Sequence, residues 1–131
     1  MRRLFLLLAL AVPAAAAAEG LAGSEWRPLT LAGAPFPEGV EATVQFGADG
    51  RLTGSGGCNR FTGSYAIEGE TLTIGPVAAT RMLCPEPAMS AEAALFRVLS
   101  EARSFVRDGA ELNIAGEGGA PLGAFAQTDW D

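Results

Sequence analysis

GSGGCNRFTGSYAIEGETL, residues Gly54 to Leu72, crowds four glycines, a cysteine and an Asn-Arg pair into ten residues and then opens into an alternating run. The second half reads as a hairpin: Tyr65 and Ile67 point one way, Glu68-Gly69-Glu70 turns, and Leu72 and Ile74 return. The first half has the residues of a sharp corner. A glycine pair before Cys58 permits positive φ and close backbone approach, and Asn59 tolerates a left-handed conformation or bonds its own backbone in an Asx-turn. A glycine-rich loop can also cradle phosphate, but GSGGCN lacks the lysine and the following helix of that motif.

The same device recurs along the chain. WRPLTL (Trp26 to Leu31) is a first candidate strand, followed by the loop AGAPFPEG. ATVQF (Ala42 to Phe46) alternates with Ala42, Val44 and Phe46 on one face, and the turn Gly47 to Gly50 leads into RLTGS. SFVRDGAELNI turns around Asp108-Gly109, and APLGAFAQ (Ala120 to Gln127) follows a glycine-rich turn, giving about eight short strands. One segment breaks the pattern. After CPEP (Cys84 to Pro87), Ser90 is placed to cap a helix with Ala91, Ala94, Leu95, Val98, Leu99 and Ala102 on one face and Arg97, Ser100 and Glu101 on the other. Glu92 in its first turn suits the helix dipole. A lone amphipathic helix among hairpins packs its stripe on the sheet or covers the end of a barrel.

The amino terminus bears on compartment. Arg2 and Arg3 precede the apolar run LFLLLALAV, then Pro13 and five alanines, which is the order of a secretory signal peptide over residues 1–18. Cleavage after Ala18 fits small residues at Ala16 and Ala18. The apolar run is too short to span a bilayer, and no cysteine lies in this region to accept a lipid, so an exported, soluble chain without a membrane anchor is expected. The paired arginines also resemble part of a twin-arginine signal. Residues 19–131 are enough for one domain.

All nine basic residues are arginine, and loss of Arg2 and Arg3 leaves seven against fifteen acidic residues, a net charge near −8. That balance argues against nucleic acid or an anionic membrane as partner. The chain has no histidine, which removes the usual general base and the commonest metal ligand. Cys58 and Cys84 read first as a disulfide in an exported protein, closing a loop of about 27 residues worth roughly 3.5 kcal/mol. Two free thiols, or a redox or metal pair, are the other readings. Redox pairs are usually close in sequence, and two thiolates without histidine make half a zinc site.

WRPLTL, then QFGADGRLTGSGGCNRFTGSY, then TRMLCPEPAMSAEAALFRVL, then a hairpin ending in ELNI, together resemble the META domain, the family that includes the bacterial heat-shock protein HslJ. The resemblance runs from Ser24 to about Phe125, and its specific motifs are GCNRFTGSY (Gly57 to Tyr65) and TRMLCP (Thr80 to Pro85). It implies a mainly β fold, a small antiparallel lipocalin-like barrel with one amphipathic helix, over residues 19–131. It also implies an envelope protein associated with heat-shock or antibiotic stress, with no established enzymatic activity. The lipoprotein members carry a lipidated cysteine that this chain lacks.

Two readings of the motif residues stand side by side. In one, Asn59 makes a turn, Cys58 reaches Cys84, and Arg60 and Arg81 pair with carboxylates or carbonyls. In the other, Asn59, Arg60, Thr80 and Arg81 converge at a barrel rim and present amide and guanidinium donors to an anionic ligand or a partner's backbone. The expected function is non-catalytic: a monomer in the periplasm or cell envelope, needing no cofactor or metal, that supports stress tolerance by binding an envelope protein or a small apolar ligand. The alternative is a small thiol-disulfide or hydrolytic periplasmic enzyme. A barrel this short can be filled by its own side chains, leaving no cavity. Envelope fractions are expected to contain a soluble chain beginning at Glu19 or within a residue or two of it. Intact-mass spectrometry checks this, and an uncleaved or lipidated form would contradict it.

Overall fold

Period-two alternation sets most of the strands in a computed structural model, which describes residues 20–128; the signal segment read over residues 1–18 lies outside them. The strands are β1 (Ser24–Leu31), β2 (Ala34–Pro35), β3 (Thr43–Phe46), β4 (Arg51–Ser55), β5 (Arg60–Glu68), β6 (Thr71–Ile74), β7 (Ala78–Ala79), β8 (Ser104–Asp108), β9 (Glu111–Ala115) and β10 (Pro121–Gln127). Among the described residues one α-helix, α1 (Ala88–Glu101), interrupts them between β7 and β8, and a single 3-10 turn (Glu117–Gly119) lies between β9 and β10. Antiparallel pairing in the order β1-β3-β4-β5-β6-β8-β9-β10, with β10 returning to β1, closes eight strands into a barrel. β2 pairs with the end of β1 and β7 with the start of β5. The closing ladder runs from Trp26↔Gln127 to Leu31↔Gly123 and slips between Pro28 and Thr30. Pro28 has no N–H to give, and a ladder that must pass a proline does so at an irregularity.

The inward positions are filled. Trp26, Val44, Phe46, Leu52, Leu72, Leu112, Ile114 and Phe125 are each no more than 2% exposed, as suits an eight-stranded barrel whose interior is about as wide as its side chains. The Tyr65 ring meets Phe46 edge-on with centroids 5.0 Å apart, and its hydroxyl donates to Gly47 O at 2.6 Å. Burial, and after it the charge of Asp49, push the Tyr65 phenol above its usual range, so it remains a donor. The buried Trp26 indole donates to Ser24 Oγ at 2.7 Å. Arg107 stacks 4.9 Å from the Trp26 ring and donates to Gln127 Oε1 at 2.6 Å and to the Gly20 carbonyl, which ties the start of the described chain to its last strand.

Helix α1 buries Ala91, Leu95, Val98 and Leu99, and Phe96 packs edge-on against Phe61 at 5.5 Å. The expected stripe holds, but the helix begins earlier than Ser90. Pro87 occupies the position before it, where a missing N–H costs nothing. The Glu86 carboxylate, rather than a serine hydroxyl, accepts the Ser90 N–H at 2.9 Å. Glu92 consequently lies beyond the first turn, and no acidic residue sits there. β2 falls inside the expected loop, and β7 inside GPVAAT, where no alternation announces a strand.

Gly54 allows β3 and β4 to close up. A Cβ there would lie 2.0 Å from Thr43 O and 2.9 Å from Phe61 Cζ, and neither a paired backbone nor a core ring can yield cheaply. Gly54→Ala is expected to destabilise the fold by about 1–3 kcal/mol or more, read as a lower urea midpoint than the parent protein.

Candidate functional site

The corner between β4 and β5 is Gly56-Gly57-Cys58-Asn59, closed by Gly56 N donating to Asn59 O at 2.9 Å. Both glycines are needed there, for different reasons. Gly57 takes φ 121°, and a Cβ on Gly56 would lie 2.6 Å from Glu92 Cγ. The space left by that missing Cβ is where the Glu92 side chain enters from α1. Glu92 is 5% exposed and Asn59 3%. Glu92 Oε1 accepts the backbone N–H groups of Cys58 at 2.9 Å and Asn59 at 2.6 Å, and Oε2 accepts Asn59 Nδ2 at 2.7 Å. A buried carboxylate is tolerable only when donors replace its water, and three do.

Asn59 passes the connection onward. Its Oδ1 accepts Met82 N at 2.6 Å and Thr80 Oγ1 at 2.9 Å, while Nδ2 also donates to Met82 O at 3.1 Å. The side-chain amide thereby meets Met82 as a neighbouring peptide would. Two residues further on, Cys84 is disulfide-bonded to Cys58, with Cα atoms 6.0 Å apart. The loop between β7 and α1 is therefore held to the glycine corner by one covalent bond and by the Asn59 amide.

Several sequence expectations change in detail. Asn59 is not in the left-handed region and makes no local Asx-turn; its side chain bonds residues more than 20 positions away, because the glycines already supply the bend. Thr80 N donates to Arg60 O at 3.2 Å, so Asn59, Arg60, Thr80 and Arg81 are brought together along one seam. Arg60 and Arg81 are exposed. Among the described residues the ion pair is Arg97–Glu101 at 3.4 Å, and neither Arg60 nor Arg81 makes a side-chain bond to a carboxylate or carbonyl. Beside this seam a groove of about 570 Å³ opens on the outer face, lined by Thr43, Gln45, Thr53, Arg60, Thr62 and Thr80. Gln45 and Thr53 are bonded there to each other at 2.8 Å, and Gln45 to Glu25 at 3.0 Å. No group of three acidic, cysteine or histidine residues able to hold a metal occurs among the described residues, nor any helix long and apolar enough to cross a membrane.

Glu92 stands out in the sequence for the helix dipole, and sequence reasoning missed its role as the buried acceptor of the corner. Its signal was its position: it shares a helix face with Leu95 and Leu99, where a carboxylate has no reason to be unless donors await it.

An eight-stranded antiparallel barrel with the helix α1 joined to a strand corner by a buried carboxylate, and a disulfide beside it, defines a small barrel-and-helix domain. Residues 19–129 match the META domain, and the chain belongs to that family. A protein from Burkholderia xenovorans, solved by NMR, is similar in fold at 22% identity and a TM-score of 0.68, over 99% of this chain and 100% of that one. A second NMR structure is 24% identical with a TM-score of 0.65, over 82% and 92%. The crystal structure of a DUF4847 family protein from Bacteroides vulgatus is 20% identical with a TM-score of 0.64, over 86% and 98%. At these identities the likeness is one of fold. No curated protein matches the chain.

Replacing Glu92 tests the site. Glu92→Ala strands the buried Asn59 N–H and the half-buried Cys58 N–H and is expected to cost about 2–4 kcal/mol. Glu92→Gln should recover only part of it: its oxygen keeps the two backbone N–H groups, but its amide nitrogen would face Asn59 Nδ2, which Met82 and Thr80 prevent from flipping. Thermal melts of both variants check this; a glutamine variant as stable as the parent would contradict it.

Proposed function

We propose that the chain is an exported, non-catalytic META-domain protein of the cell envelope that supports heat-shock or antibiotic stress tolerance by binding another protein through the loop between β7 and α1. The observation that carries the reading is the state of that loop. Leu83 is 89% exposed and its neighbour Met82 56%. Scattered apolar side chains on a surface are ordinary, but two adjacent ones on a backbone fixed by the Asn59 amide and the Cys58–Cys84 bond have the form of an interaction site. Filled inward positions favour binding on the outside of the barrel over an apolar ligand within it.

An enzymatic reading has less support. Both cysteines are spent on each other, and both oxygens of Glu92 are spent on N–H donors. Export is supported by the charged, apolar and small-residue order of residues 1–18 and by a disulfide, which persists in oxidising compartments.

The double variant Met82→Ser, Leu83→Ser changes exposed side chains only, so its melting temperature should match the parent's within what surface substitutions allow, about 0.5 kcal/mol. In a strain lacking the chromosomal copy it is expected to fail to restore survival under heat or antibiotic challenge. Full complementation by this folded variant would reject the loop as the working surface.

A further inference from the structure

Resting on the protein-binding reading above, we propose that residues 80–83 are a substrate-like strand that docks in the cleft of an endopeptidase, with Leu83 in its primary specificity pocket, making the protein a reversible peptidase inhibitor. The argument begins with backbone direction. Along a strand, the N–H and C=O pairs of successive residues face opposite edges. β7 pairs with β5 through Thr62↔Ala78 and Phe61↔Ala79, and the register continues as Thr80 N bonds Arg60 O. Beyond the corner, where β5 has ended, the Asn59 side chain takes over and bonds both the N–H and the C=O of Met82. Thr80 and Met82 thus turn their backbone groups to the barrel, and alternation turns those of Arg81 and Leu83 away from it. Among the described residues neither Arg81 nor Leu83 has a hydrogen-bond partner. No residue from 80 to 83 occupies the left-handed region or lies in a turn or bend, so nothing breaks the run over those four.

An edge of this kind accepts an extended partner, and its length selects which. Pro85 has no N–H, and Cys84 is bonded to Cys58, so pairing ends with Leu83. A sheet-forming partner needs a longer edge. A peptidase cleft needs only this: a short extended segment that offers alternate backbone groups and ends in one protruding side chain for the pocket preceding the cut bond. Leu83 is the large apolar side chain with the greatest exposure among the described residues.

The two anchors explain inhibition instead of digestion. Attack of the enzyme's nucleophile on the Leu83 carbonyl carbon breaks the Leu83–Cys84 bond, forms an acyl-enzyme at Leu83 and releases the Cys84 amine. Cys84 stays tied to Cys58, and Met82 stays on Asn59, so the amine remains beside the acyl carbon. Its return expels the enzyme's nucleophile and re-forms the original bond, in competition with water, which would leave a Leu83 carboxylate. A loop already held in its bound form also loses little freedom on docking.

The disulfide-intact processed chain should inhibit chymotrypsin and subtilisin, whose pockets are apolar, with dissociation constants of about 1 μM or below. Leu83→Gly should abolish this, and Leu83→Arg should move inhibition to trypsin, each changing the constants by about 100-fold or more. Matching melting temperatures would show that these variants fold. Absence of inhibition of both apolar-pocket enzymes at about 10 μM, rapid cleavage of the loop as an ordinary substrate, or inhibition that ignores residue 83 would each overturn the assignment. If inhibition fails while the Met82→Ser, Leu83→Ser variant still loses complementation, the protein-binding reading stands and the peptidase assignment alone falls. If inhibition follows residue 83 while that variant complements fully, the peptidase assignment stands and the proposed stress role falls.

Discussion

The carboxylate of Glu92 is where three parts of the chain depend on one another. It leaves α1, passes over a glycine that has no Cβ to block it, and takes the N–H groups of the strand corner. A charge buried at 5% exposure is costly unless its water is replaced in full, so the arrangement is all or nothing. With the three donors in place, helix position, corner conformation and the orientation of the Asn59 amide are fixed together. An apolar side chain in the same space could fill volume, but it could not tell one corner conformation from another.

The disulfide and the Asn59 amide act on the same loop in different ways. The Cys58–Cys84 bond limits how far the loop can travel, and in the chain-entropy view acts chiefly on the unfolded state. The amide specifies direction, because it accepts from Met82 N and donates to Met82 O with the two groups it has. Tethering without orientation would leave Leu83 mobile, and orientation without tethering would rest on hydrogen bonds close to solvent. Together they hold an apolar tip in water, where its own tendency would be to fold back on the surface.

Most of the barrel was legible because hairpins announce themselves locally: Ala42, Val44 and Phe46 alternate, and Gly109 follows Asp108 at a turn. β2 and β7 were not, since two-residue strands owe their existence to the neighbour they pair with and to nothing in their own sequence. The helix stripe was legible, but its start was misplaced, because Ser90 is a better cap by type than the Glu86-Pro87 pair that does the work. At the site, the cysteines could be paired by count and compartment. The partnership of Asn59 with Glu92 could not, because two polar residues 33 positions apart carry no local mark of each other.

The size of the barrel also constrains where function can reside. Eight short strands enclose about the volume of their own side chains, and here Trp26, Phe46 and Phe125 occupy it. Enlarging the interior for a ligand would remove that packing from a barrel whose sheet is already thin where β6 meets β8 through the single aligned pair Thr71↔Ser104. A fold under that constraint is free to vary outside, on connections whose ends the barrel fixes. The loop between β7 and α1 is such a connection. It is fastened by the Cys58–Cys84 bond and by the Asn59 amide, which the buried Glu92 carboxylate holds in place, so its outer residues can change with a partner while the fastening stays the same.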